Sequence, residues 1–141
     1  MKNKKQRMIT GMLIKNMEMN DEGTEFLHHD AGINDVKYKD GYESYKDLVF
    51  DFVTDVNLGP EVRATGLHFL AGDHALVRDY PISLIVVHPI HGTGELRGNV
   101  LITNVDKEGN DQDITQEQRD WLGDHLDMTM YKDELVFRIT L

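Results

Sequence analysis

The hydrophobic positions of this chain recur mostly with the alternating period that is typical of β-strands. Residues 82–88, Ile-Ser-Leu-Ile-Val-Val-His, are apolar on both faces, which predicts a central strand covered on both sides. A glycine-bearing turn at 91–94 follows, and we expect residues 96–105 to return as the second strand of a hairpin. Residues 134–141 alternate cleanly and predict a final, half-buried strand.

Two further segments fit both a strand and a helix. Residues 7–18 are expected to pair with residues 24–28 through a turn at 20–23, although their apolar positions also have helical spacing. Residues 47–56 fit a helical stripe and a strand face equally well, and their β-branched and aromatic side chains favour a strand. Another strand is expected at 62–70.

One helix is predicted from a local start signal. Thr115-Gln-Glu-Gln118 has the pattern of a capping box, in which the threonine oxygen and the glutamine side chain satisfy free backbone N–H groups. An apolar stripe then runs from Trp121 to Met130, which predicts a helix over about 115–131. We expect this helix to pack on one face of the sheet, with Trp121 in the core.

These elements predict an α+β fold: a mostly antiparallel β-sheet, one helix at about 115–131 packed on it, and a final strand. The 141 residues fit a single domain spanning 1–141, since domains cluster around 100–150 residues. Residues 1–7 contain four basic residues and no acid, and we expect them to form a flexible basic arm.

The composition excludes several classes of function. There are no cysteines, so disulfide scaffolds, thiolate zinc sites and cysteine nucleophiles are ruled out, and a cytoplasmic location is favoured. No secretory signal pattern is readable, and no apolar run approaches the length of about 18 residues that a membrane helix needs. The two serines lie outside any nucleophile motif, and the glycines at 92 and 94 match no phosphate-binding fingerprint.

Charge is distributed unevenly along the chain. Residues 1–15 hold five basic residues and no acid, whereas the rest of the chain holds all 25 acids, and the net charge is −10. An acidic body repels nucleic acid and anionic membranes and attracts basic protein surfaces. The basic first segment could also dock on the acidic body of a second copy, which would make a homo-oligomer.

Two acidic clusters are the candidate binding surface. If residues 47–56 form a strand, three of their aspartates share one face, and a second row of acids surrounds the predicted helix. The candidate residues are Asp47, Asp51, Asp55, Asp113, Glu117, Asp120 and Asp124. Such rows can imitate the phosphates of nucleic acid in a basic groove, but they can also be ordinary solvated faces of a sheet and a helix.

The alternative hypothesis is a histidine-dependent metal site. Neutral imidazole is a good ligand for zinc and other transition metals, and a site needs three or four ligands that converge. The candidate ligands are His88, His91, His28, His29, His68 and His74. On a regular strand His88 and His91 point to opposite faces, so they converge only if Pro89 distorts the backbone.

No set of residues visibly gathers for catalysis, and no cofactor loop is present. We therefore expect an acidic, non-enzymatic interaction protein without a cofactor, which binds a basic partner as an inhibitor or a nucleic-acid mimic. The alternative is a metal-binding protein or metalloenzyme that holds a transition metal such as zinc. A pH-sensitive module is a third interpretation, since seven histidines titrate on mild acidification.

Overall fold

The computed structural model describes residues 7–75 and 78–141. The described chain is rich in strands, contains few helices and belongs to the α+β class. In chain order the elements are β1 Met8–Met19, β2 Phe26–Lys39, α1 Tyr42–Val49, β3 Val53–Val56, α2 Pro60–Arg63, β4 Leu67–Gly72, β5 Ile82–His88, β6 Gly92–Arg97, β7 Val100–Val105, β8 Asp111–Gln112, α3 Gln116–His125, β9 Leu126–Tyr131 and β10 Glu134–Thr140.

The strands form two sheets rather than the single sheet expected. The larger sheet has the order β2-β1-β7-β4-β3, with β8 paired to β7, and the smaller has the order β6-β5-β10-β9. The predicted antiparallel character is confirmed in both, with one exception among the described pairings: β10 runs parallel to β5.

The main hydrophobic core lies between the two sheets. Ile14, Phe69 and Ile102 from the larger sheet meet Leu84 and Ile139 from the smaller one, and all five are fully buried. On the outer face of the larger sheet, α1 covers a second apolar cluster through Val49. Burial of this kind is the dominant favourable contribution to folding, at about 25 cal/mol per Å² of apolar surface.

A β-bulge in β1 is held by one buried asparagine. The register of β1 against β2 shifts between Lys15 and Met17, which leaves backbone N–H groups without their regular partners. Asn99 lies at the corner between β6 and β7, and its Oδ1 accepts hydrogen bonds from the N–H groups of Asn16 (3.0 Å) and Met17 (3.2 Å). Its amide donates to the carbonyl oxygens of Met17 and Leu48, each at 3.1 Å. Asn99 therefore ties β1 and α1 to the corner where the chain changes sheets.

The N-terminal hairpin is confirmed, and its second strand is longer than expected. β2 runs to Lys39 instead of ending near residue 28. The expected arm at 1–7 lies outside the described residues except for Arg7. The Arg7 guanidinium donates to the Asp111 carbonyl oxygen (2.5 Å) and to Gln112 Oε1 (3.0 Å), so Arg7 itself is anchored and not part of a free arm.

The prediction of one strand over 47–56 is wrong. Helix α1 extends to Val49, Phe50 ends it in the left-handed conformation at φ 65°, and only Val53–Val56 is extended. The first part of this segment is helical because helical spacing lets Tyr45, Leu48 and Val49 pack together on the outer face of the larger sheet.

The helix predicted over about 115–131 is shorter in the structure, where it spans Gln116–His125. Thr115 and Gln118 form the reciprocal capping box, but Leu126 is already extended and begins β9, which pairs with β10. Pairing along β10 satisfies backbone groups that a continued helix would have satisfied within itself. Trp121 is only partly buried, at the edge of the main core.

Two other strands differ from expectation. Residues 62–70 begin as the short helix α2, which has proline in its first turn, and turn at Gly66 before β4. Residues 96–105 do not form one hairpin partner for β5. Gly98, at φ 73°, divides them, so that β6 pairs with β5 while β7 enters the larger sheet between β1 and β4.

Candidate functional site

Of the acidic residues predicted to form a binding surface, those on α3 lie together on one side of the helix. Glu117, Asp120 and Asp124 are exposed and recur at intervals of three and four residues, which places them on one side of the helix. With a rise of about 1.5 Å per residue, the three carboxylates span roughly 10 Å. We call these three residues the α3 acidic face.

The α3 acidic face has no basic partner in the described parts of the chain. No Lys, Arg or His nitrogen of residues 7–75 and 78–141 lies within 4.0 Å of its carboxylate oxygens. By contrast, Asp35 on β2 forms a bidentate ion pair with Arg119 of α3. The guanidinium of Arg119 holds the pKa of that carboxyl below its usual range.

Asp113 does not belong to this face. It precedes the helix, and its Oδ1 accepts a hydrogen bond from the N–H of Thr10 at 2.8 Å. Its carbonyl oxygen accepts from the Asn104 amide at 2.9 Å. Asp113 therefore joins the start of β1 to the segment that leads into α3, which is a structural role.

The expected acidic row of Asp47, Asp51 and Asp55 does not exist, because the three residues occupy three different kinds of backbone. Asp47 is exposed on α1, Asp51 is buried in the turn after α1, and Asp55 lies on β3. Asp55 Oδ2 contacts Nδ1 of His68 on the neighbouring strand β4 at 2.6 Å. The row was inferred from strand spacing, which a helix and a turn do not have.

Asp51 organises the loop that follows β4. Its Oδ2 accepts from the backbone N–H of His74 (2.8 Å), and its Oδ1 accepts from the N–H of Phe52 (2.8 Å) and contacts His74 Nδ1 (3.0 Å). Burial raises the pKa of Asp51, but the hydrogen bonds from His74 and Phe52 outweigh it and hold the pKa below its ordinary value. Asp51 is therefore a structural carboxylate.

The candidate metal ligands lie at four separate places in the fold. His28 and His29 are exposed on β2, His68 pairs with Asp55, and His74 pairs with Asp51. In the described ranges 7–75 and 78–141, no group of three or more His, Asp or Glu side chains is arranged to hold a metal ion. The histidines are scattered because they lie on β2, on β4, in the turn after β4 and at the β5–β6 turn, which are separate parts of the two sheets.

His88 and His91 do come together, as a tilted pair of rings at the turn between β5 and β6. Their ring centroids are 4.6 Å apart. His88 Nδ1 accepts from the N–H groups of Ile90 (3.1 Å) and His91 (3.2 Å), so the hydrogen of the neutral ring is on Nε2. A nitrogen that carries a hydrogen has no lone pair for a metal, so this hydrogen bonding opposes ligation through Nε2.

A buried carboxylate that the sequence did not reveal lies beneath α1. Asp111 Oδ2 accepts hydrogen bonds from the hydroxyls of Tyr38 (2.9 Å) and Tyr45. Burial and the contact with Asp111 raise the pKa of both tyrosines above its ordinary range. The three residues come from β2, α1 and β8, so no sequence spacing could have identified them.

A cleft opens between the edge strands β3 and β6. It has a volume of about 700 Å³, and its apolar floor consists of Val56, Leu58, Val86 and Leu96. Arg63, His88 and His91 stand at its rim. Clefts of this size with an apolar floor and a few polar groups are typical of small-molecule sites.

In comparisons with known proteins, the chain matches no family model, no curated protein and no solved structure. Within the described ranges, none of the helices has the length and apolar character required to cross a membrane.

Proposed function

We propose that this protein is a non-enzymatic interaction protein that binds a basic partner surface through the α3 acidic face. The observation that carries the proposal is that Glu117, Asp120 and Asp124 are exposed together and form no ion pair with any basic group of the described residues. Charged residues at a contact increase the association rate and select partners of opposite charge.

Electrostatics within the helix support this role. Glu117 and Asp120 are three residues apart, and Asp120 and Asp124 are four apart, so like charges are neighbours on the helix surface. Each such pair costs an isolated helix about 0.2–0.5 kcal/mol. The capping box of Thr115 and Gln118 offsets this cost by fixing the first turn. Contact with a cationic surface would reduce this repulsion, so binding would also stabilise the helix.

The class of partner follows from the net charge. At −10, the chain is repelled by nucleic acid and by anionic membranes, so the partner is a basic protein surface such as a nucleic-acid-binding groove. In that case the protein would act as an inhibitor or a nucleic-acid mimic. A cytoplasmic location and self-association through the basic N-terminus belong to the same proposal.

A charge-matched pair of variants tests the proposal. Glu117→Gln/Asp120→Asn/Asp124→Asn neutralises the α3 acidic face, and Asp21→Asn/Glu22→Gln/Glu25→Gln removes the same charge from the exposed turn between β1 and β2. Binding of a fluorescent hexalysine peptide, as a model basic surface, is measured by anisotropy at two salt concentrations. We expect the first variant to bind about fivefold more weakly than the second.

Equal weakening in the two variants would contradict the proposal, because it would mean that hexalysine senses only the net charge. Circular dichroism and urea unfolding of both variants serve as controls for folding.

A further inference from the structure

The cleft between β3 and β6 exists because two sheet edges are left apart. β3 ends the larger sheet and β6 ends the smaller one, and α2 with the segment before it closes one end. Val86 and Leu96 on the smaller sheet and Val56 on the larger one pack against the main core and form the floor. The floor is therefore a part of the core that no other element of the described chain covers.

Gly94 leaves space in the wall of the cleft. It lies opposite Val86 in the β5–β6 ladder, so a side chain at position 94 would share the face of Val86 and point into the cleft. A Cβ built on Gly94 meets no atom within 4 Å, and its φ lies outside the left-handed region. A Cβ therefore has open space at position 94, and the absence of a side chain there gives the cleft part of its volume.

The rim carries two hydrogen-bond donors, the Arg63 guanidinium and the His88 ring. Arg63 Nε makes a long contact of 3.4 Å to Asn57 Oδ1, and no carboxylate of the described residues lies within 4.0 Å of its guanidinium. His88 directs its hydrogen-bearing Nε2 toward Gly59, where a Cβ would lie 4.0 Å away. His88 Nε2 has no acceptor among the described residues, and the Arg63 guanidinium has only its long contact with Asn57. Guanidinium binds carboxylate and phosphate groups well.

The one carboxylate along this cleft is turned away from it. Glu95 lies opposite Ile85, on the outer face of the smaller sheet, and its Oε2 accepts from Tyr131 and Lys132, each at 2.7 Å. In a protein of net charge −10, the cleft therefore combines an apolar floor with a rim whose free charge is positive.

From this arrangement we infer that the cleft binds a small amphipathic anion, with its apolar body on the floor and its carboxylate or phosphate at Arg63 and His88. This site is separate from the α3 acidic face and does not depend on the proposed function. A medium-chain fatty acid such as octanoate is the simplest probe of this chemistry, and 1-octanol and octylammonium have the same apolar body with no charge or the opposite charge.

Titration of the ¹⁵N-labelled protein followed by NMR tests the inference. We expect octanoate to shift amide signals of β3, β6 and α2 with a dissociation constant in roughly the micromolar to millimolar range, and octylammonium to bind more weakly. Gly94→Leu should weaken octanoate binding about tenfold by filling the cleft. Arg63→Gln should weaken octanoate about fivefold and leave 1-octanol within about twofold.

Gly32→Leu is the matched control. Gly32 is also a strand glycine with no atom within 4 Å of an added Cβ, but it lies on β2, away from the cleft. Unchanged octanoate binding in Gly32→Leu together with loss in Gly94→Leu supports the site. Equal binding by octylammonium, or unchanged binding in Gly94→Leu, would overturn it. If octanoate shifts no cleft signal at about 5 mM, the site is also refuted, and an extended peptide along β6 becomes the better occupant.

Discussion

Tyr131 on β9 donates its hydroxyl to Glu95 on β6 across the two central strands of the smaller sheet, with an O–O distance of 2.7 Å. The ring packs against Ile82, Ile85 and Val136, a small apolar cluster on the outer face of that sheet. The ring of Tyr131 therefore contributes to the complete burial of Val136. The same contact holds Glu95 on the outer face and away from the cleft.

Substitution of Tyr131 separates these two roles. Tyr131→Phe keeps the ring over Ile85 and Val136 and removes the hydrogen bond, so we expect a small decrease in stability. Tyr131→Ala also uncovers the cluster, so its urea midpoint should be clearly lower than that of Tyr131→Phe. If the two variants unfold at the same midpoint, the ring contributes nothing to the burial of the cluster.

Asp51 is expected to stabilise the fold in a pH-dependent way. In Asp51→Asn, an amide group that donates hydrogen bonds replaces a carboxylate oxygen that accepts them from N–H groups. We therefore expect the free energy of unfolding near neutral pH to decrease by about 1–3 kcal/mol. Because the pKa of Asp51 is lowered in the folded state, its contribution is present above the unfolded pKa of about 3.9 and is lost as the pH falls through the folded value. Urea unfolding at about pH 7 and about pH 3 should therefore show a smaller difference from the wild type at the lower pH. A difference that does not change with pH would contradict this assignment.

Replacing Gly72 and Gly123 by alanine should change the stability of the fold in opposite directions. A Cβ on Gly72 would lie 2.8 Å from Asp51 Oδ2, so Gly72→Ala should cost about 1–3 kcal/mol through overpacking. Gly123 lies within α3, and a Cβ there meets no atom within 4 Å, so Gly123→Ala should add about 0.5–1 kcal/mol. Thermal or urea unfolding measures both changes, and a shift of the same sign in both would be the contradicting result.

Alkaline stability should report on Tyr38 and Tyr45. Burial and the contact with Asp111 raise the pKa of both hydroxyls in the folded protein. Their contribution is fully present below the unfolded pKa of about 10 and is lost as the pH rises above it, because only the unfolded chain then releases these protons readily. The decrease in unfolding free energy above about pH 10 should be shallower in Tyr38→Phe/Tyr45→Phe than in the wild type. Absorbance at the tyrosinate band monitors the same protons, and an unchanged slope in the double variant would refute the assignment.

Local signals in the sequence predicted local structure well. The capping box at Thr115 and Gln118 lies within four consecutive residues, and the structure forms it as expected. The apolar run in β5 and the alternation in β10 likewise predicted a strand covered on both sides and a half-buried strand, because both patterns are readable without knowledge of the partners.

Features that depend on distant partners were not readable. The end of α3 is decided by the pairing of Leu126 with Ile139 on β10, and α1 was chosen over a strand by packing on the larger sheet. In the candidate site, the face shared by Asp120 and Asp124 was readable because the capping box predicts the helix that carries them. The separation of Asp47, Asp51 and Asp55 was not readable, because packing on the larger sheet decides the helix and turn that divide them.

NMR mapping of the hexalysine contact on the ¹⁵N-labelled wild-type protein tests the central claim most directly. If the α3 acidic face is the docking surface, the largest amide shifts fall within Gln116–His125, and they diminish when salt is added. Shifts of equal size in the acidic turn at 20–25, or shifts spread over all acidic surfaces, would contradict the claim.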